Sequence, residues 1–190
     1  MEKWEAIYSQ AIEDLKNFKR PQIKLGREEF IELYQIWQEK IQELDNPSQS
    51  EEALKALEKI LCILDHTQKA SSIFDELIEE SFQKVNKPEL IIYLLSVSQK
   101  HLIQKKFLEG NPIPKSFFKS LRHLLETGQD NPEVLEWTLR TIEQLGNQSI
   151  KLREDILKIK PTWGALFNSN KKASKQIIEM LEKRWAPFIR

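Results

Sequence analysis

The chain is poor in the residues from which most disulfide frameworks and nucleotide cradles are built, and it has no net charge. Cysteine occurs once, as Cys62, among 190 residues. No intramolecular disulfide can form, and a reducing, cytoplasmic compartment is the expected location. Glycine occurs five times, against a usage of roughly 7% in average proteins, which argues against β-rich folds with many tight turns and against glycine-cradled phosphates. Net charge is absent as well: Lys+Arg and Asp+Glu stand at 29 each, so no overall charge draws the chain to nucleic acid or membrane. The longest apolar stretch, residues 90–95 with Val97 beyond, falls far below the roughly 20 residues that span a bilayer. The opening Met-Glu-Lys-Trp-Glu carries charge where a signal peptide needs an apolar region.

What the chain does have is hydrophobic residues at 40% and charged residues at 31%, laid out at three- and four-residue steps, the mark of amphipathic helices. The expectation is one all-helical domain over 1–190 with about nine to ten helices and no sheet. Trp4, Ile7, Tyr8, Ala11, Leu15 and Phe18 share the face of a first helix closed by Pro21. Phe30, Leu33, Tyr34, Trp37, Ile41 and Leu44 mark a second. A third opens near Ser48, where a Ser with Glu51 three residues on suits a capping box. A fourth carries Phe74, Leu77, Ile78, Phe82 and Val85. Pro88 starts a fifth, apolar nearly all round and expected at the centre of the core. After the Gly110–Pro114 loop come a sixth helix with Phe117, Phe118, Leu121, Leu124 and Leu125, and a seventh announced by Asn131-Pro132-Glu133 and closed by Gly146. An eighth spans 149–159, a short turn is expected at 163–167, and a last helix runs over 171–185 before Pro187.

Gly110, Gly128, Gly146 and Gly164 are each 18 residues apart, about one helix plus connector. Helix starts near 50, 88 and 131 give spacings of 38 and 43 residues, a period typical of two-helix solenoid repeats; an irregular bundle gives similar lengths. The segment Asp130-Asn131-Pro132-Glu133-Val134, with Thr138, Ile142 and Leu145-Gly146, resembles the second helix of a HEAT or armadillo repeat over about 17 residues. It departs from the pattern in having Thr138 and Thr141 where small residues such as Ala are usual, and no Arg after Val134. The resemblance implies an α-solenoid of antiparallel helix pairs and a role as an interaction scaffold.

Linear signs of catalysis are missing. There is no phosphate loop, no G-x-G-x-x-G and no G-x-S-x-G elbow. Adjacent Glu pairs occur at 28–29, 51–52 and 79–80, but neighbours on a helix point about 100° apart, and the first two pairs open helices, where acids complement the dipole. His66, His101 and His123 stand alone, without metal-ligand spacing. His101 shares a helical stripe with Leu90, Leu94, Val97 and Leu108 and reads as a hydrogen-bonded core histidine. Cys62, beside Leu61, reads as packing. No catalytic, metal or cofactor residue is expected.

Charge placement says more than its total. Residues 1–60 hold 9 basic and 13 acidic side chains, and residues 151–190 hold 10 and 4. Solvated helix faces would account for this, as would an anionic partner. Trp137 lies roughly 120° off the apolar arc of its helix, among Glu133, Arg140 and Gln144. An exposed Trp beside Arg is typical of an interface hot spot, although a seam between repeats would also take it. The expected partner surface is therefore Trp137, Arg140 and Gln144 with Lys171, Lys172 and Lys175. The expected function is a non-enzymatic scaffold or adaptor binding another protein, an acidic one in particular. Nucleic acid at the basic C-terminal end is the alternative, and neither a membrane nor a small-molecule partner is expected.

Overall fold

The computed structural model describes residues 2–159 and 168–189. The short turn expected at 163–167 lies outside them. The described residues are helical and contain no strand, only an isolated parallel bridge between Ile23 and Thr67. The chain forms two compact units, Met1–Asn111 and Pro112–Arg190. By sequence the first holds 15 basic and 20 acidic side chains, and the second 14 and 9.

The first unit contains α1 (Glu2–Lys16), α2 (Arg27–Glu43), α3 (Ser50–Asp65), a 3-10 turn (Ser72–Phe74), α4 (Asp75–Lys84), α5 (Pro88–Ser98), a π-helical segment (Gln99–Gln104) and α6 (Lys105–Glu109). α3 rather than α5 occupies the centre. It packs on α1, α2 and α5 and buries Ala53, Ala56, Leu57 and every residue from Ile60 to Leu64. On α5, by contrast, Ile91, Ile92 and Tyr93 are only half-buried. Between α2 and α4 the core is aromatic: Trp37 stacks on Phe74 with ring centroids 5.6 Å apart, and the Trp37 indole N–H donates to Ser81 Oγ at 2.9 Å. That bond satisfies the one polar atom of a fully buried ring.

Within the first unit α1 and α3, α2 and α4, and α3 and α5 lie side by side and run parallel. Along α3 and α5, Ser96 donates to Asp65 and Lys100 reaches Leu64 and Thr67. Along α2 and α4, Trp37 pairs with Ser81 and Asp45 with Lys84. Along α1 and α3, Glu5 meets Lys59, and residues 20–22 beyond α1 lie beside 65–68 beyond α3.

Four details depart from the sequence reading. The capping box at Ser48 does not form: residues 46–49 make a turn, Gln49 is the N-cap, and Ser48 Oγ donates to Asn46 Oδ1. Phe18 lies beyond α1, fully exposed, with φ 55°. The Phe18 N–H bonds Leu15 O and the Lys19 N–H bonds Asp14 O. This is a Schellman stop with a phenylalanine where glycine is usual, a left-handed placement costing about 1 kcal/mol. Leu108 is 80% exposed, because the π segment inserts an extra residue per turn and rotates the stripe shared with His101 out of phase. The helix expected over 149–159 begins as a 3-10 stretch, and its α-helical part is Arg153–Lys158.

The second unit contains α7 (Lys115–Thr127), a 3-10 turn (Gly128–Asp130), α8 (Pro132–Gln144), a 3-10 stretch (Gly146–Leu152), α9 (Arg153–Lys158), α10 (Ser169–Trp185) and a closing 3-10 turn (Ala186–Phe188). Asn131 caps α8 as its position before Pro132 suggests, accepting the N–H groups of Glu133 and Val134 at 3.2 Å. Gly146 takes φ 58° just past α8, and the chain continues in 3-10 form before α9. Ser149 Oγ there donates to Gly146 O and accepts the buried Trp185 indole N–H. Arg122 on α7 pairs with Asp155 on α9, one turn beyond the Phe118–Lys151 contact. Glu143 near the end of α8 meets Arg184 near the end of α10.

Candidate functional site

On α8, the buried arc is Val134, Leu135, Thr138, Leu139, Thr141 and Ile142. Opposite it runs a stripe of Glu133, Glu136, Trp137, Arg140 and Gln144. Arg140 and Gln144 are exposed and Trp137 is half-buried. Arg140 donates through Nε and Nη2 to Glu136 Oε1 at 2.8 and 2.6 Å, so its guanidinium is held along the helix beside Trp137 and its charge is largely balanced.

On α10, Asn168 caps the helix by accepting the Lys171 N–H at 3.1 Å. Lys171, Lys172 and Lys175 are exposed, and Lys175 reaches Glu179 at 4.0 Å. The buried face of α10 is Ser174, Ile177, Ile178, Leu181 and Trp185. Around the helix axis, Arg184 lies about 80° to one side of that face and the three lysines about 60–160° to the other. Since Arg184 is the residue that donates to Glu143 of α8, the lysines sit on the opposite flank. Among the described residues the six expected positions thus form two patches, Trp137/Arg140/Gln144 and Lys171/Lys172/Lys175, with no contact joining them.

Several titratable groups of the first unit have displaced equilibria, and their partners are internal. His101 is fully buried. Its Nδ1 accepts the Ser71 N–H at 3.1 Å, while Nε2 faces Leu64 O at 3.1 Å and Thr67 Oγ1 at 3.2 Å. Those partners assign the neutral tautomer with the proton on Nε2, and burial brings its pKa down to about 4. Next to it, the Lys100 ammonium donates to the carbonyls of Leu64, Asp65 and Thr67, capping the C-terminus of α3 where orphan carbonyls and the dipole both favour a cation. Burial lowers the Lys100 pKa, yet its donors are committed to backbone. The Cys62 thiol is pushed up to about 11, chiefly by burial, the reverse of what a nucleophile requires. Asp75, paired with Lys106 at 2.5 Å, has its pKa raised by burial. Of the paired glutamates, Glu29 binds Lys3 and the Gly26 N–H, Glu51 pairs with Lys55, and Glu80 with Lys84.

No family model matches this chain, and no match is found among curated proteins or solved structures. Among the described residues no group of three His, Cys, Asp or Glu side chains is placed to hold a metal ion, and no helix is long and apolar enough to cross a membrane.

Three features escaped the sequence reading. The Lys100–His101 clamp depends on the π segment, which a 3.6-residue period does not anticipate. A groove of about 450 Å³ opens between Ile31 and Tyr34 of α2 and Ile73 before α4, rimmed by Asp75 and Glu76; these positions look like ordinary helix periodicity in sequence. A polar cleft of about 360 Å³ joins Arg20, Pro21 and Gln22 to Asp65, His66, Thr67, Gln68 and Lys100, assembled from segments some 40–80 positions apart.

Proposed function

We propose that the chain is a non-enzymatic helical-repeat scaffold, solenoid-like within each unit, that binds another protein. The observation that carries this reading is the parallel packing of helices two apart: α1 on α3 on α5, α2 beside α4, α7 beside α9 and α8 beside α10. Stacked helix pairs pack in this way, each layer burying its apolar face against the next. The internal commitment of Lys100, His101 and Cys62 supports a role without catalysis, and a buried, unpaired Cys62 fits a cytoplasmic setting.

Trp137 with Arg140 and Gln144 supplies apolar area beside a fixed guanidinium, a composition common in interface hot spots. Lys171, Lys172 and Lys175 on the other flank raise the encounter rate with an acidic partner. The surplus of basic residues in 112–190 also favours nucleic acid as the second reading. The test is affinity capture from the native cell, comparing wild type with folded Trp137→Ala and Lys171/Lys172/Lys175→Glu variants. Loss of a specific protein by Trp137→Ala is expected. Equal capture by all three would place the binding surface elsewhere. Retention of a labelled oligonucleotide that weakens steeply with salt would select the nucleic-acid reading.

A further inference from the structure

The end of the first unit where α1 and α3 stop has a composition that its fold does not call for. Phe18 stands wholly in solvent in a left-handed backbone conformation, and Leu15, one turn before it, is 39% exposed. A phenylalanine in this position is strained and buries nothing, whereas glycine or asparagine would close the same stop without strain. Strain kept at an exposed position is a recurrent mark of functional surfaces.

The surroundings are basic. Lys16, Lys19, Arg20 and Lys24 are exposed and have no ion-pair partner among the described residues. Arg20 enters the cleft that also holds His66 and Lys100, and exposed Lys69 follows three residues after His66. Five exposed basic side chains (16, 19, 20, 24 and 69) therefore stand in these segments against three acidic ones, with Lys100 committed to the carbonyls that end α3. Those acids are Asp65, which accepts from Ser96, Asp14, which accepts from Gln10, and Glu13, and the neutral donors leave their charges in place. This end is electropositive on a unit whose sequence carries more acids than bases. The C-terminal dipoles of α1 and α3 account for a share of these cations; they do not account for an aromatic ring in water.

We propose that this end of the first unit is a peripheral docking surface for an anionic lipid bilayer. Phe18 and Leu15 would enter the boundary between headgroups and acyl chains, while Lys16, Lys19, Arg20 and Lys24 meet lipid phosphates. A side chain that projects completely needs a matching pocket in a rigid protein partner, but a fluid bilayer closes around it unaided. Nucleic-acid surfaces set several aromatic faces along a groove, and here one ring stands alone. A small apolar anchor joined to a basic cluster is a two-signal arrangement, the kind that stable membrane attachment takes. Among the described residues no helix is long and apolar enough to cross the bilayer; lying on its surface needs none. This surface is independent of α8 and α10, so its test does not depend on the partner reading above.

The test is cosedimentation of the full chain with vesicles of phosphatidylcholine alone or mixed equally with phosphatidylserine. Binding to the anionic vesicles is expected, weaker by about tenfold on the neutral ones, and reduced by raising NaCl from about 50 to 300 mM. Phe18→Asn suits the left-handed backbone and keeps the fold, so its melting temperature should not fall, while its vesicle binding drops about fivefold or more. A Lys16/Lys19/Arg20→Gln triple variant should lose binding as well. No sedimentation with anionic vesicles overturns the proposal, as does Phe18→Asn binding like wild type. Retention of single-stranded oligonucleotide without vesicle binding overturns it in favour of nucleic acid.

Discussion

Acid should weaken this fold through His101 in a defined window. The imidazole is fully buried and neutral, with a folded pKa of about 4 set chiefly by burial; in the unfolded chain a histidine titrates near 6.5. Protonation in place would also set a new Nδ1 proton against the Ser71 N–H that Nδ1 now accepts. Because the folded pKa is depressed, the unfolded state binds the extra proton first as pH falls. Stability from this group is therefore complete above pH 6.5 and is lost between 6.5 and 4. Each unit of displacement is worth about 1.4 kcal/mol, so the loss is about 2 kcal/mol at pH 5 and about 3 kcal/mol by pH 4. Against a typical domain stability of about 5–15 kcal/mol, that is measurable. The assay is urea denaturation of wild type and His101→Gln at pH 7.5 and pH 5. Glutamine keeps an acceptor and a donor but has no titration. The variant is expected to be less stable at both pH values and to lack the extra 2 kcal/mol of acid sensitivity, while carboxylates contribute equally to both proteins. The same pH dependence in both would refute the assignment of a buried neutral imidazole.

Two further outcomes follow from packing and capping. Leu94 is fully buried on α5, and Leu94→Asp should cost at least about 3 kcal/mol by placing an unpaired charge there; an unchanged melting temperature would show that α5 is not part of the core. Asn131→Ala removes the acceptor for two N–H groups that open α8 and should cost about 1 kcal/mol in chemical denaturation, with a smaller loss expected from Asn131→Asp.

The legible part of this fold was where a backbone constraint is written in one or two residues. Pro88 at the first turn of α5, the Asn131-Pro132 start of α8 and the positive φ of Gly146 all follow from local chemistry. What could not be read depends on choices that period and composition do not distinguish, some local and some tertiary. The capping box at Ser48 fails because Asn46 takes the serine hydroxyl. Phe18 has the right spacing for the α1 face, but the helix stops two residues before it. Leu108 leaves the stripe it shares with His101 because the intervening turn is π. On the candidate partner surface, helical phase puts Trp137 off the buried arc of α8 but does not say how far the ring is covered, and it is half-buried where exposure was expected. Nor could the separation of the three lysines from it be read, since that depends on which flank of α10 faces α8.

The π segment Gln99–Gln104 also makes length and direction interchangeable at one place in the chain. A single residue inserted or removed elsewhere in a helix turns everything beyond it by about 100°. Here one residue more than the α count is already accommodated, and its effect is to let Lys100 and His101 both reach the end of α3 while α6 keeps the heading that brings Lys106 to Asp75. Removing one residue between 99 and 104 would take up that extra residue and leave a shorter, regular helix with Lys106 still directed at Asp75, but it would lose the turn that lets Lys100 and His101 both reach the end of α3. The irregular turn thus works as a gear between the two parts of one helix, each meshed with a different neighbour.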